Sequence, residues 1–468
     1  MAAALAAVAV AAAPAAALAR ADRVNAGSLA AASASSGRDR LVGVWRADGY
    51  GMIIKVGYRH GYVYQTTANS CLFVQRADRI GAPGRGQVQR FGFNGVVTTL
   101  AWPAGRDRGW IHPLGSAGNI GMHRIGRLPA LCLRPTPTDS VTSFGIFWRT
   151  FAENYPFFAA QKVNWAAIVA RYRAQVNART SPGKLFNVFV AMVRPLHNAH
   201  IDVISADDKR GFEGLRPHTR PWSAAFCARA ERVTDRRLHA RLRTWGDGNI
   251  AFASLPGHLG YLRISAFMAY AGENSTFQAD AAVLRRALDS VFTPARTRSL
   301  RGLIIDVRCN PGGDDALSLQ VASRLTSRPY LAYAKRAFDQ SEPGGFTPLQ
   351  PITIRPAHAP RYTGPIVMLI SDLTNSAGET FTQAMMNRSP APVRIGVPTQ
   401  GVFSDVLNRV LPDGIQFGLP NEEFVTRDGQ TFDNRGIPPD IYIPAFTNYQ
   451  LAHNLDPALA KARELLSS

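Results

Sequence analysis

The sequence predicts an α/β core that follows a β-rich N-terminal module and a helical segment. Three observations carry this prediction. From Gly260 onward, short apolar runs alternate with helical patterns. Between Leu41 and Leu133, alternating runs are cut by glycine-rich turns, and no helical period persists. Between these two regions, aromatic residues recur at helical spacing.

At 468 residues the chain has room for two or three domains and a sizeable core, and 46% hydrophobic residues are enough to fill one. The net charge of +20 raises a nucleic-acid reading. Only six of the 53 cationic residues are lysine, and the arginines are scattered rather than clustered. No recognition helix, zinc spacing or aromatic–basic motif accompanies them, so nucleic acid is excluded as a partner. The charge favours acidic partners or anionic surfaces.

Residues 2–19 contain only Ala, Leu, Val and one Pro, and Ala17-Leu18-Ala19 offers small residues where a signal peptidase cuts. Residues 1–19 are therefore expected to be an export signal, although no Lys or Arg precedes the apolar stretch. No integral span is expected after its removal, which places the protein in the periplasm or outside the cell. Residues 20–40 read as a linker, and 41–135 as the β-rich domain, with strands such as Met52-Ile53-Ile54-Lys55-Val56. Pro135 and Pro137 mark its end.

The helical segment spans 138–205. Phe144, Phe147, Trp148, Phe151 and Tyr155 read as packing residues on its first helix, and Ser181-Pro182 opens its third. Residues 206–258 are charged, proline-punctuated and connecting. The α/β core occupies 259–445, with strands at Tyr261–Ile264, Leu303–Val307 and Pro365–Ile370, and a C-terminal helix closes the chain over 446–468. Its strands are apolar throughout, as in a sheet buried on both faces.

Four cysteines are too few for a disulfide scaffold and match no metal spacing. In an exported protein Cys71 and Cys132 could pair, since both lie in the β-rich segment; Cys309, at a strand end, is expected to be a packed free thiol.

Four segments carry chemistry. In Leu369-Ile370-Ser371-Asp372-Leu373-Thr374-Asn375-Ser376-Ala377-Gly378-Glu379, Ser376 sits where a strand ends and a helix begins. Free N–H groups and the helix dipole favour a developing negative charge there, although serine at such a place is often only a cap. Asp306-Val307-Arg308-Cys309-Asn310-Pro311-Gly312-Gly313 forms a second strand–helix corner, whose glycines can point N–H groups at a ligand or simply make a turn. Two histidines, His197 and His200, close the helical segment. Asp428-Gly429 begins a turn that leads through Asp433 to Gly436-Ile437-Pro438-Pro439-Asp440.

In this order, together with Gly260–Ile264 and Thr399-Gln400-Gly401, these segments resemble the C-terminal processing (tail-specific) serine proteases. The likeness is strongest to the branch of the tricorn core and the interphotoreceptor retinoid-binding protein repeats, and it runs from Asp139 to Pro444. It implies a crotonase/ClpP-like core and a serine peptidase that cleaves peptides or unstructured tails through an acyl-enzyme. Ser376 would be the nucleophile, and the N–H groups of Ala377 and of Gly312 or Gly313 the oxyanion hole. The tail-specific branch uses a lysine as base, but no lysine lies between Ser376 and Lys461. The tricorn-like alternative makes His200 the base and Asp433, in place of the usual glutamate, the group that orients it. The family often has Asp where Asn198 stands, and residues 206–258 are too short for a peptide-binding PDZ module.

Glu379 is expected to reach back to the Ser376 N–H in a capping box. Glu422 is a lesser candidate for a peptide's amino terminus. No metal or organic cofactor is implied, the partner is a peptide or protein substrate, and an oligomer is compatible with the fold. A catalytically weak ligand-binding protein on the same scaffold is the rival reading.

Overall fold

The computed structural model describes residues 41–81, 88–93, 96–102, 107–205 and 209–467. The expected export signal and linker lie outside them.

The β-rich domain is a closed eight-stranded barrel, from β1 (Gly43–Ala47) to β8 (Ile120–Ile125), with β1 pairing antiparallel to β8. Its interior is filled rather than hollow: Trp45, Phe91, Leu100 and Met122 are fully buried. A barrel of eight strands leaves an interior that side chains can fill. Cys71 and Cys132 form a disulfide with Cα atoms 4.8 Å apart, tying the barrel to the chain that leaves it.

The helical segment follows as α1 (Ser140–Asn154), α2 (Trp165–Arg173) and α3 (Pro182–Val193). Asp139, Asn164 and Ser181 cap their N-termini through side-chain oxygens. The aromatics at helical spacing do pack: Phe147 stacks on Phe189 with centroids 4.0 Å apart. This cluster is continuous with the barrel core.

Next come β9 (Asp202–Ile204), β10 (Gly211–Glu213), α4 (Ala224–Leu238), β11 (Arg243–Trp245), β12 (Ile250–Leu255) and β13 (Leu259–Ile264). The chain continues through α5 (Phe277–Val291), α6 (Pro294–Ser299), β14 (Gly302–Asp306), α7 (Asp315–Ser323), β15 (Tyr330–Ala337), β16 (Gln350–Ile354), β17 (Ile366–Ile370) and α8 (Ala377–Met386). It ends with β18 (Val393–Gly396), β19 (Arg409–Val410), β20 (Gln416–Gly418), β21 (Glu422–Val425), β22 (Ile441–Tyr442), α9 (Asn448–Ala452) and α10 (Pro457–Ser467).

The main sheet has the order β11-β12-β13-β14-β17-β18-β22. From β13 to β22 every pairing is parallel. β14 and β17 are buried at every residue, because helices cover both faces of a parallel sheet. The chain is thus a mixed α/β protein with an N-terminal β-barrel.

The structure corrects one expectation outright. Cys309 is not a free thiol; it is bonded to Cys227 on α4, with Cα atoms 5.7 Å apart. The connecting region, opaque in the sequence, folds into a helix that lays Cys227 against the end of β14. The two disulfides suggest an extracytoplasmic location. Among the described residues no helix is long and apolar enough to cross a membrane.

Candidate active site

Two neighbouring strand–helix corners, after β14 and after β17, meet at Ser376. Ser376 precedes α8 with φ 50° and ψ −121°, and its side chain makes no capping hydrogen bond. A serine held at positive φ is strained, and such strain persists only where the surroundings enforce it. Here they do: Asn375 N donates to Asn310 O at 2.9 Å and Ser376 N to Val402 O at 3.1 Å. Thr374 Oγ1 donates to Val307 O at 2.8 Å, tying the turn to β14.

The glycine corner is equally constrained. Gly312 and Gly313 have φ of 111° and 130°. A Cβ on Gly312 would lie 2.6 Å from Ser376 Cβ, so only glycine fits against the serine. Gly312 N donates to Asn310 Oδ1 at 2.8 Å, whereas no hydrogen bond engages the N–H groups of Gly313 and Ala377 among the described residues. Asn310 itself is fully buried and donates to Ile264 O at 3.0 Å.

Below this corner, buried Arg308 pairs with Asp306 at 2.6 Å and Asp456 at 2.8 Å. These two carboxylates hold the guanidinium pKa well above its usual value despite the cost of burial. Asp306 is therefore an anchor, and Tyr261 also donates to it at 2.8 Å.

His200 follows α3 in a loop held by Asn198, whose Oδ1 accepts from His200 N at 2.9 Å. Asn198 Nδ2 donates to Asn434 Oδ1 at 3.0 Å, and that same oxygen accepts from Gln161 Nε2 at 2.7 Å. His200 Nδ1 is buried without a hydrogen-bond partner among the described residues. Burial lowers the imidazole pKa to about 4, while the Ser404 backbone and the Asp405 carboxylate act in the opposite direction. No hydrogen bond joins its ring to Ser376 Oγ or to Asp433 among the described residues.

Asp433 is buried and accepts from Thr431 Oγ1 at 2.8 Å, with longer contacts from Phe403 N at 3.4 Å and Phe424 N at 3.5 Å. Burial pushes its pKa up to about 7, against the effect of these donors.

Two further expectations need correction. Glu379 does not form the capping box. It is fully buried and accepts from Gly401 N at 2.6 Å and Val402 N at 2.8 Å, because the Ser376 N–H is already taken by Val402. Burial pushes its pKa up to about 8. Glu422 is buried and already engaged: it pairs with buried Lys335 at 2.9 Å and accepts from Tyr50 of the barrel.

The barrel also reaches the site's border. Gly115 O accepts from Ala316 N at 2.9 Å, just past the glycine corner, and Ser116 Oγ donates to Asp405 Oδ2 at 3.2 Å.

Residues 258–443 match the profile of peptidase family S41, and residues 142–194 that of the tricorn protease C1 domain. The chain carries a peptidase family S41 domain. No curated protein matches it. Among solved structures, a candidate peptidase from Parabacteroides merdae ATCC 43184 is 23% identical, with a TM-score of 0.59 over 71% of this chain and 98% of that one. The photosystem II D1 C-terminal processing protease is 14% identical, with a TM-score of 0.41 over 71% and 98%. The tricorn protease is 14% identical, with a TM-score of 0.44 over 89% of this chain and 45% of that one. The first of these shares the fold; the family is of the serine hydrolase type.

Gly312–Gly313 and Ser376–Ala377 are brought together as the sequence suggests. Asn310, Gln161 and Asn434 were missed, since their partners lie far away in sequence. Asn310 had one local signal, its place two residues before the glycine pair.

Proposed function

We propose that this S41 family member is an exported serine peptidase that cleaves peptides or unstructured tails through an acyl-enzyme. The observation that carries the proposal is the positive φ of Ser376 beside two N–H groups that have no acceptor among the described residues, those of Gly313 and Ala377. In this reading Ser376 Oγ attacks the scissile carbonyl, and those two amides hold the oxyanion that develops. Gly312 is excluded as a donor because Asn310 takes its N–H. His200 accepts the serine proton and returns it to the leaving amine; water then releases the acyl group. A low imidazole pKa keeps this base neutral at physiological pH. Asp433 orients it only if substrate draws the two together. The disulfides and the apolar N-terminus support the periplasm or the extracellular space.

A second reading is favoured by one observation, the missing contacts among Ser376, His200 and Asp433. An idle site of this kind would suit a ligand-binding protein on the same scaffold. Labelling by a fluorophosphonate probe separates the two readings. The wild-type protein is expected to label, and Ser376→Ala and His200→Ala to lose labelling. A correctly folded wild type that stays unlabelled would favour binding over hydrolysis.

A further inference from the structure

His200 accepts the serine proton in the proposed reaction, yet the carboxylate that resemblance assigns to it is engaged elsewhere. Asp433 is committed to Thr431, Phe403 and Phe424, and its charge bears on Glu379 and Tyr155. The backbone of Ser404 is what lies against the imidazole. The carboxylate whose field reaches the ring belongs to the next residue, Asp405.

The segment 404–405 is firmly held. Ser404 Oγ donates to Asp405 O at 2.7 Å and accepts from Asn421 N and Glu422 N, each at 3.1 Å. Asp405 N donates to Glu422 Oε2 at 3.1 Å. The Asp405 carboxylate is held by one oxygen only. Its Oδ2 accepts from Lys335 Nζ on β15 and from Ser116 Oγ, in the turn before β8 of the barrel, both at 3.2 Å. Among the described residues no hydrogen bond engages Asp405 Oδ1 or His200 Nδ1. A carboxylate oxygen and a ring nitrogen, each without a partner, thus share one neighbourhood.

Nor is the negative charge there cancelled. Lys335 is one cation between two carboxylates, since its Nζ also meets Glu422 Oε1 at 2.9 Å. Asp314 and Asp315, at the start of α7, add two more acidic groups within the field of Asp405. A buried imidazole that takes up a proton becomes a desolvated cation, and a neighbouring carboxylate stabilises it.

We infer that Asp405 is the positioning residue of His200: its carboxylate accepts from the imidazole N–H and stabilises the imidazolium, while Lys335 and Ser116 of the barrel hold it in place. The proton moves from Ser376 Oγ to the imidazole and no further; Asp405 does not take it. The inference rests on the peptidase reading, moves the acid of that reading from Asp433 to Asp405, and gives the barrel a part in the site.

The test is fluorophosphonate labelling of the full chain, its rate followed from pH 4 to pH 8 in wild type, Asp405→Asn, Asp405→Glu and Asp433→Asn. At pH 7, Asp405→Asn should label at least about ten-fold more slowly than wild type, and more slowly than Asp433→Asn. It should also lack the wild-type fall towards pH 4, because removing a negative charge lowers the imidazole pKa further. Asp405→Glu should recover most of the rate, since the side chain is 47% exposed and a longer one has room. A merely structural role would slow labelling alike at every pH and leave the glutamate variant no faster; that result overturns the inference. So does labelling of Asp405→Asn within about three-fold of wild type. Should Asp405→Asn not fold, Ser116→Ala decides: slower labelling upholds the inference, and an unchanged rate overturns it. A folded wild type that stays unlabelled overturns the peptidase reading and this inference with it, so the two failures are distinguishable.

Discussion

The Ser376 side of the site and its His200 side are built from different materials. Around Ser376, the residues of the corner are fixed through the backbone: Asn375 on Asn310, Ser376 on Val402, Gly312 on Asn310, and Phe267 on both sides of Gly313. Around His200 the loop is fixed, through Asn198 and Asn434, whereas the imidazole Nδ1 has no partner among the described residues. In the proposed reading, Ser376 and the Gly313 and Ala377 amides are thus preorganised in the free protein, while His200 and Asp433 are left to be brought together. Preorganised dipoles cost no reorganisation during reaction, whereas catalytic hydrogen bonds of an acid–base pair often tighten only when substrate arrives.

The largest expected effect breaks the preorganised side. In Gly312→Ala the added Cβ meets Ser376 Cβ at 2.6 Å and Oγ at 3.1 Å, in a backbone conformation with φ 111° that alanine resists. Displacing a reacting group by about 1 Å can cost on the order of 100-fold in rate. We expect at least that loss in the rate of fluorophosphonate labelling, with the fold retained as judged by circular dichroism. Labelling within about three-fold of wild type would mean that the corner is less rigid than its hydrogen bonds imply.

A smaller effect sharpens the other side. His200→Ala should cost on the order of 10²–10⁴ in rate if the imidazole is the base. Asp433→Asn should cost less than about ten-fold, since no bond to the imidazole is lost. The sign of the pH dependence follows from burial: a base must be neutral, and the His200 pKa is lowered to about 4. Labelling of the free protein should therefore rise through about pH 4 and be flat across pH 6 to 8. A limb near the ordinary histidine value, with a large cost for Asp433→Asn, would show that the two sides assemble together after all.

The same contrast explains what the sequence revealed. Ser376 and Gly312–Gly313 were legible because positive φ and a strand–helix corner are local properties, written in adjacent residues. The α/β alternation was legible for the same reason, since each apolar run and each cap is a short pattern. The support of His200 was not. Asn198 meets Asn434 across 236 residues of chain, and Tyr50 of the barrel meets Glu422 across 372. Cys227 and Cys309 are 82 residues apart, so no local pattern in the sequence pairs them. Asp433 was placed by resemblance, and its hydrogen bonds go to Thr431, Phe403 and Phe424. Glu379 was misread because a capping box is a local rule, and a distant loop, Gly401–Val402, outcompeted it for the carboxylate.

Glu379 supplies the smallest and most specific test, because it is where the braced side stores a titratable group. Burial raises its carboxyl from 4.5 to about 8 in the folded protein. The folded state therefore binds a proton that the unfolded state has released. The contribution to stability is full below about pH 4.5 and is lost as pH rises through about 8, with a limiting slope of about 1.4 kcal/mol per pH unit. Asp433, raised to about 7, adds to the same trend, whereas His200, lowered to about 4, opposes it below the ordinary histidine value. Glu379→Gln removes one titration and keeps one oxygen to accept from Gly401 or Val402, so its melting temperature should be lower at pH 5 yet fall less between pH 5 and pH 8 than that of wild type. An identical pH slope in the two proteins would mean that the carboxyl is already ionised in the fold. The loop 401–402 would then rest on a buried charge, and the rigidity of the serine corner would depend on an electrostatic partner such as Arg216 rather than on neutral hydrogen bonds.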